Sequence, residues 1–191
     1  IYQHFFNDYD WFMKADDDTY IILENLRYFL SEKNTSEPVY FGHHFKPYIK
    51  QGYHGGGAGY VLSKEALRRF GEKGNNSDCR SDGGAEDVEM GRCLESVGVR
   101  IVNSDDSLGR SRFHSFIPES YLKGTFPKWY YHYDVNGAKQ GRGNISDYVI
   151  SFHSVNPEKM RQLEFYVYHL RPYGINNGQQ DLNTNITERS R

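Results

Sequence analysis

The sequence predicts an α/β fold, on three observations. Short apolar runs of strand character alternate with segments whose apolar residues recur at helical spacing. One of those strands, Trp11-Phe12-Met13-Lys14-Ala15, runs straight into three carboxylates, Asp16-Asp17-Asp18. A glycine-rich run from Gly52 to Gly59 leads directly into another strand, Tyr60-Val61-Leu62. Ligands of open α/β sheets bind outside the carboxyl ends of strands, so the acidic triplet marks the expected crevice. The 191 residues suffice for one domain with a real core.

Taken in order, Trp11 to Ala15 reads as a buried strand. Tyr20 to Leu30 reads as a helix, with Ile22, Leu26 and Phe29/Leu30 on one face. A polar loop, Asn34 to Pro38, precedes a short strand, Val39 to Phe41. Ser63 is a good N-cap for a helix from Lys64 to about Phe70. Gly71 to Gly84 is a polar loop. A helix from Glu86 to Val97 follows, with Met90, Cys93, Leu94 and Val97 as its apolar face and Asp87 on the inward side of its first turn. Gly98 ends it, and Val99 to Val102 is expected as a strand. Residues 104–145 read as irregular and aromatic. Tyr148 to Val155 alternates as a strand, and Asn156-Pro157 starts a helix reaching toward Leu170. Beyond Gly174 the Asn/Gln-rich sequence lacks aromatics and is expected to be a disordered tail over 175–191.

Composition narrows the function. A net charge of −2 with mixed signs gives no nucleic-acid footprint. Aromatic residues make up 16% of the chain, enough for sugar stacking as well as an ordinary core. No apolar stretch is long enough to span a bilayer. The chain starts at Ile1 and enters a strand almost at once, which leads us to expect a fragment whose N-terminal part is missing. Four sequons, at Asn34, Asn75, Asn144 and Asn185, would be glycosylated only in a luminal or secreted protein. Cys79 and Cys93 fit either one disulfide in that setting or two free, buried thiols.

Three adjacent carboxylates repel one another and raise each other's pKa unless a cation joins them. A hard divalent ion with oxygen ligands is the simplest candidate. The alternative is a solvated acidic turn before a helix, with Asp18 or Thr19 as N-cap. Gly55 to Gly59 permits close backbone approach to a ligand. No Gly-Lys-Ser/Thr follows it, so it is not a phosphate-cradling loop of the NTPase type.

The motifs then line up with a family. Trp11 to Tyr20 resembles the metal motif of the β1,3-glycosyltransferases. Phe41-Gly42, Phe45-Lys46-Pro47-Tyr48, Gln51-Gly52-Tyr53, Gly55 to Leu67 and Glu86-Asp87 resemble the core 1 β1,3-galactosyltransferase branch of that family. Ser151-Phe152-His153 and Tyr166 to Gly174 do so as well. The resemblance implies a GT-A (Rossmann-like) fold, with residues 1–174 as the C-terminal part of a catalytic domain. It implies inverting transfer of galactose from UDP-galactose to GalNAc on Ser/Thr, with Mn2+ preferred over Mg2+. By the same resemblance the metal ligands are Asp16, Asp18 and His153, and Asp17 and Lys14 join Asp16 and Asp18 around the donor. Asp87 is the general base with Glu86 beside it. Trp129, Tyr130, Tyr53 and Gly57 are the candidates for the acceptor side, the aromatic rings by stacking on its sugar. A type II membrane protein of the Golgi with a signal anchor, a homodimer and a dedicated chaperone are also implied.

Each role has a structural competitor. His153 could be a core histidine, and Glu86 and Asp87 could simply be first-turn acids favoured by the helix dipole. Trp129, Tyr130 and Tyr131 could pack an irregular loop. At the level of function, the competitors are a β1,3-transferase with another donor and a non-catalytic chaperone or sugar-binding relative. A glycoside hydrolase with paired carboxylates would need no metal.

Overall fold

A computed structural model describes residues 1–173. Two compact units emerge, Ile1–Pro157 and the chain from Glu158 onward. The first unit opens with a short helix, α1 (Tyr2–Phe5). Its central sheet contains β1 (Trp11–Lys14), β3 (Val39–Gly42), β6 (Tyr60–Ser63) and β7 (Arg100–Ile101), in the order β1-β6-β3-β7. β6 runs antiparallel to both neighbours, and β3 and β7 are parallel. A second sheet has the order β2-β9-β8, from β2 (Tyr20–Ile21), β8 (Phe113–His114) and β9 (Ser151–Phe152). A two-stranded ribbon joins β4 (His44–Phe45) and β5 (Tyr53–His54).

Strand alternation divides the core between the two faces of the central sheet. Val39, Phe41 and Val61 point one way and pack with Leu26, Phe29 and Leu30 of α2 (Leu23–Leu30). Phe12, Tyr40, Tyr60 and Leu62 point the other way. They meet Ala66 and Leu67 of α3 (Lys64–Gly71) and Leu94 of α4 (Glu86–Ser96). Helices therefore cover both faces, as the alternating pattern predicts. Ser63 caps α3 as expected, its Oγ accepting from the Ala66 N–H at 3.0 Å. The two cysteines form the Cys79–Cys93 disulfide, which ties the 71–84 loop to α4.

Several expected elements change. Tyr20-Ile21 is a strand, not the first turn of a helix, because it pairs with Phe152 and Ser151. The Ile22 N–H then donates to the Ile150 carbonyl at 2.8 Å, and the helix begins only at Leu23. Ile22 looked helical because it stands four residues before Leu26, yet it is the N-cap. The strand expected over Tyr148 to Val155 shrinks to β9, and that over Val99 to Val102 to β7. Residues 104–145 are not wholly irregular. They contain β8, α5 (Pro118–Lys123), α6 (Tyr130–Tyr133) and a 3-10 turn at Arg142–Asn144. α5 carries Pro at its start and Gly124 at φ +70° at its end, the usual asymmetry of helix boundaries. These elements enclose a third core cluster of Phe45, Ile49, Tyr53, Val88, Tyr121 and Tyr130. α7 (Pro157–Glu164) starts at the last residue of the first unit, and a π-helical turn at Phe165–His169 continues it. The tail expected over 175–191 and the Asn185 sequon lie outside the described residues.

The signal anchor implied by the resemblance is corrected here. Among the described residues no helix is long and apolar enough to cross a membrane.

Burial also sets an acid limit. His54 is 1% exposed, its Nε2 3.2 Å from the Tyr40 carbonyl. Burial, reinforced by the neighbouring His44, pushes its pKa down to about 3. Fully buried His114 is likewise pushed to about 3, mainly by burial. Below the unfolded-state value the unfolded chain binds these protons and the folded chain does not, so stability is lost as pH falls from about 6.5 toward 3. Urea unfolding as a function of pH should show this loss. His54→Leu should make the slope shallower by up to ~1.4 kcal/mol per pH unit. An unchanged slope would contradict the buried neutral imidazole.

Candidate metal and sugar-transfer site

The antiparallel register sets Lys14, the last residue of β1, against Tyr60, the first residue of β6. The acidic turn after β1 therefore lies beside the glycine run before β6. Thr19, considered above as a helix cap, fastens the two. Its Oγ1 accepts from the Asp16 N–H at 3.2 Å and donates to the Gly57 carbonyl at 2.8 Å. Pairing of Tyr20 with Phe152 then carries His153 to the same place, and the Val155 N–H donates to the Asp18 carbonyl at 3.0 Å.

Three side chains converge there. Oxygens of Asp16 and Asp18 and a nitrogen of His153 all lie within 4.8 Å of one another. His153 Nε2 is 3.1 Å from Asp18 Oδ1 and 3.8 Å from Asp16 Oδ2. Its Nδ1 lies 3.2 Å from the Ser115 carbonyl. Donation from Nδ1 to that carbonyl leaves the Nε2 lone pair facing the carboxylates, the arrangement of a metal-binding imidazole. Two carboxylates with one imidazole fit a divalent ion of the magnesium–manganese type. Asp17, by contrast, is exposed and stands outside the trio.

Lys14 and the start of α4 form the neighbouring wall. Lys14 Nζ lies 2.5 Å from Asp16 Oδ1 and 3.2 Å from Glu86 Oε2. Partial burial works to lower the Lys14 pKa, but the hydrogen bond to Asp16 and the charge of Glu86 outweigh it, and the net shift is upward. The other oxygen of Glu86 accepts from the Tyr60 hydroxyl. Glu86 is thus held from two sides. Asp87 accepts from the Gly56 N–H at 3.1 Å through Oδ2, and from the Val88 N–H at 2.9 Å through Oδ1.

The glycines allow these close approaches. A Cβ on Gly56 would stand 3.0 Å from Lys14 Nζ and 3.1 Å from Glu86 Oε2. A Cβ on Gly57 would stand 2.4 Å from the His153 ring. Consecutive residues of one loop therefore separate the Glu86-Asp87 pair from the histidine. A Gly57→Ala variant should displace the imidazole and weaken divalent-metal affinity by roughly 10–100-fold, the scale on which supports of metal ligands act. Calorimetric titration of the metal checks this, and unchanged affinity would show that the ring tolerates the methyl group.

A cavity of about 700 Å³ opens beside Lys14, Ala15, Tyr60 and Glu86, with Phe12, Leu67 and Met90 among its apolar walls. Not all of the expected acceptor residues reach open space. Tyr130 is 1% exposed, with its hydroxyl 3.0 Å from Tyr121 Oη and 3.1 Å from His43 Nε2. Its ring is core and offers no face for stacking. Tyr53 is also buried, its phenol pKa raised by burial and then by the Asp87 charge. Gly57 is a spacer for His153. Trp129 keeps an exposed ring, packed edge-on to Phe45 and Tyr130. Tyr48 is exposed, and its hydroxyl bonds that of Tyr133. Tyr60, the partner of Glu86, was missed because in sequence it reads only as a strand residue. The signal that finds it is the register opposite Lys14.

The fold is of the GT-A type found in glycosyltransferases. The family model described as Fringe-like matches residues 1–164, and the chain belongs to that family. The chain is 46% identical over 177 residues to glycoprotein-N-acetylgalactosamine 3-beta-galactosyltransferase 1 of Xenopus laevis, covering 91% of this chain and 49% of that protein. It is 32% identical over 123 residues to a beta-1,3-glucosyltransferase of Mus musculus, covering 63% of this chain and 24% of the relative. It is 34% identical over 110 residues to chondroitin sulfate synthase 3 of Homo sapiens, covering 51% of this chain and 12% of the relative. The likeness to the core 1 β1,3-galactosyltransferase branch is thereby borne out. The chain spans about half the length of the Xenopus relative and less of the other two.

Proposed function

We propose that the protein containing this chain is an inverting β1,3-galactosyltransferase, moving galactose from UDP-galactose to GalNAc-α-Ser/Thr, with Asp16, Asp18 and His153 holding Mn2+. The observation that carries this reading is the convergence of those three ligands beside the Glu86-Asp87 pair, across the glycine loop. The imidazole moves metal preference from magnesium toward manganese. When bound, the ion supplies Lewis-acid stabilisation to the departing diphosphate. The name of the Xenopus relative supports the donor and the acceptor.

The remaining chemistry belongs to the protein. Asp87 takes the proton of the acceptor hydroxyl, whose oxygen bonds to the anomeric carbon as the bond to the diphosphate oxygen breaks. One in-line displacement inverts the α donor to a β product. The two N–H donors on Asp87 fix its carboxylate, and Lys14 and Tyr60 fix Glu86 beside it. Asp17, at the exposed edge of the turn, is available to the donor, and the Trp129 ring to the acceptor sugar. The Cys79–Cys93 disulfide supports an oxidising, luminal setting, and with the resemblance a Golgi location. Residues 1–174 are the C-terminal part of the catalytic domain in this reading. A homodimer and a dedicated chaperone follow from the resemblance alone.

The test is galactose transfer from UDP-galactose to a GalNAc-threonine peptide by the complete protein, with Mn2+ and with chelator, and with UDP-glucose in parallel. Manganese-dependent product from UDP-galactose is expected. Transfer of glucose alone, or transfer indifferent to chelator, would overturn the assignment.

A further inference from the structure

Three of the four sequons lie among the described residues, and the fold treats them differently. Asn144 is 8% exposed, and its Nδ2 donates to the Lys139 carbonyl at 2.8 Å. The hydroxyl-bearing Ser146 is 3% exposed, and its Oγ accepts from the Tyr148 N–H at 3.2 Å. Ile145, between them, forms a β-bridge with Ser111. A sugar on Asn144 has no place in this arrangement, so glycosylation there is incompatible with the fold.

Asn34 is the opposite case. It is exposed in the loop after α2, and its Oδ1 accepts from the Ser36 N–H at 3.0 Å. That turn employs the carbonyl oxygen, and Nδ2 has no hydrogen-bond partner among the described residues. The loop is anchored, with the Thr35 carbonyl accepting from Glu65 N–H at 3.1 Å and the Glu37 carbonyl from Ser63 Oγ at 2.6 Å. It precedes Val39, the start of β3, whereas the carboxylate site lies at the other end of the sheet, where Lys14 and Gly42 both pair with Tyr60. A glycan on Asn34 therefore leaves the site open. Asn75 is exposed as well, in the 71–84 loop that the disulfide ties to α4.

We propose that Asn34 and Asn75 are N-glycosylation sites and that Asn144 is not, an inference that rests on the luminal reading above. In the reaction the Asn amide nitrogen bonds to the anomeric carbon of a lipid-pyrophosphate-linked oligosaccharide. The carbon–oxygen bond to the pyrophosphate breaks, the lipid pyrophosphate leaves, and the amide proton is released, with no redox change.

The test expresses the complete protein in animal cells, removes glycans enzymatically in heavy-oxygen water, and maps labelled Asp by mass spectrometry. Label is expected at Asn34 and Asn75 and not at Asn144. Asn34→Gln and Asn75→Gln should each remove one glycan step on a gel, and Asn144→Gln none. Label at Asn144 would overturn the exclusion, and absence of label at Asn34 or Asn75 would overturn that site. Thiol labelling of the same sample separates the two levels. An oxidised Cys79–Cys93 pair without glycans refutes the sites alone, and free thiols without glycans refute the luminal reading with them.

Discussion

Asp18→Ala is expected to abolish metal-dependent transfer by the complete protein while leaving it folded. The side chain is half-exposed and faces His153 Nε2 at 3.1 Å. Its removal takes one of three ligands from the ion, so metal affinity should fall by more than the ~10–100-fold that losing a ligand's supporting partner costs. The fold does not depend on that carboxylate. What Asp18 gives the segment after β9 is a backbone bond, its carbonyl accepting from the Val155 N–H, and this survives the substitution. Two carboxylates beside one another also repel when no cation is bound. Stability should therefore change by no more than about 0.5 kcal/mol, as for ordinary surface substitutions. Metal titration and thermal unfolding on one preparation separate the two effects. Wild-type transfer in the variant would sink the metal assignment.

Asp87→Asn should spare donor binding and remove turnover. The amide oxygen can still accept from the Gly56 N–H, so the glycine loop and His153 stay where they are. What disappears is a carboxylate able to take a proton, an effect of roughly 10²–10⁴-fold on kcat. UDP affinity should be unchanged, because the proposed metal ligands lie just after β1 and just after β9 and not on α4. The opposite pattern, weaker donor binding with turnover intact, would assign Asp87 to the donor and leave the base unidentified.

The sequence exposed the site more fully than the fold around it. Asp16 and Asp18 were legible because like charges at a strand end call for a cation. His153 became legible only through Ser151-Phe152-His153 and the family resemblance. Periodicity found α3 and α4 because their apolar residues face one sheet and a serine or glycine marks an end. It failed at Tyr20-Ile21, where pairing with residues about 130 positions away decides the conformation, and no local pattern records that partner. Two aromatics misled for a related reason. Tyr130 and Tyr53 carry polar tips suited to a sugar, yet both are buried in one core cluster, and the Tyr130 hydroxyl meets Tyr121 and His43. The glycine run was read as close approach to a ligand. Its residues approach the Lys14, Glu86 and His153 side chains themselves.

The measurement that tests the central claim most directly is Mn2+ titration of the complete protein with UDP, followed by electron paramagnetic resonance, beside His153→Ala. The account predicts stoichiometric binding with nitrogen coupling in the wild type, and loss of that coupling with weakened binding in the variant. An identical spectrum and affinity in the two proteins would contradict it, placing the ion away from Asp16, Asp18 and His153.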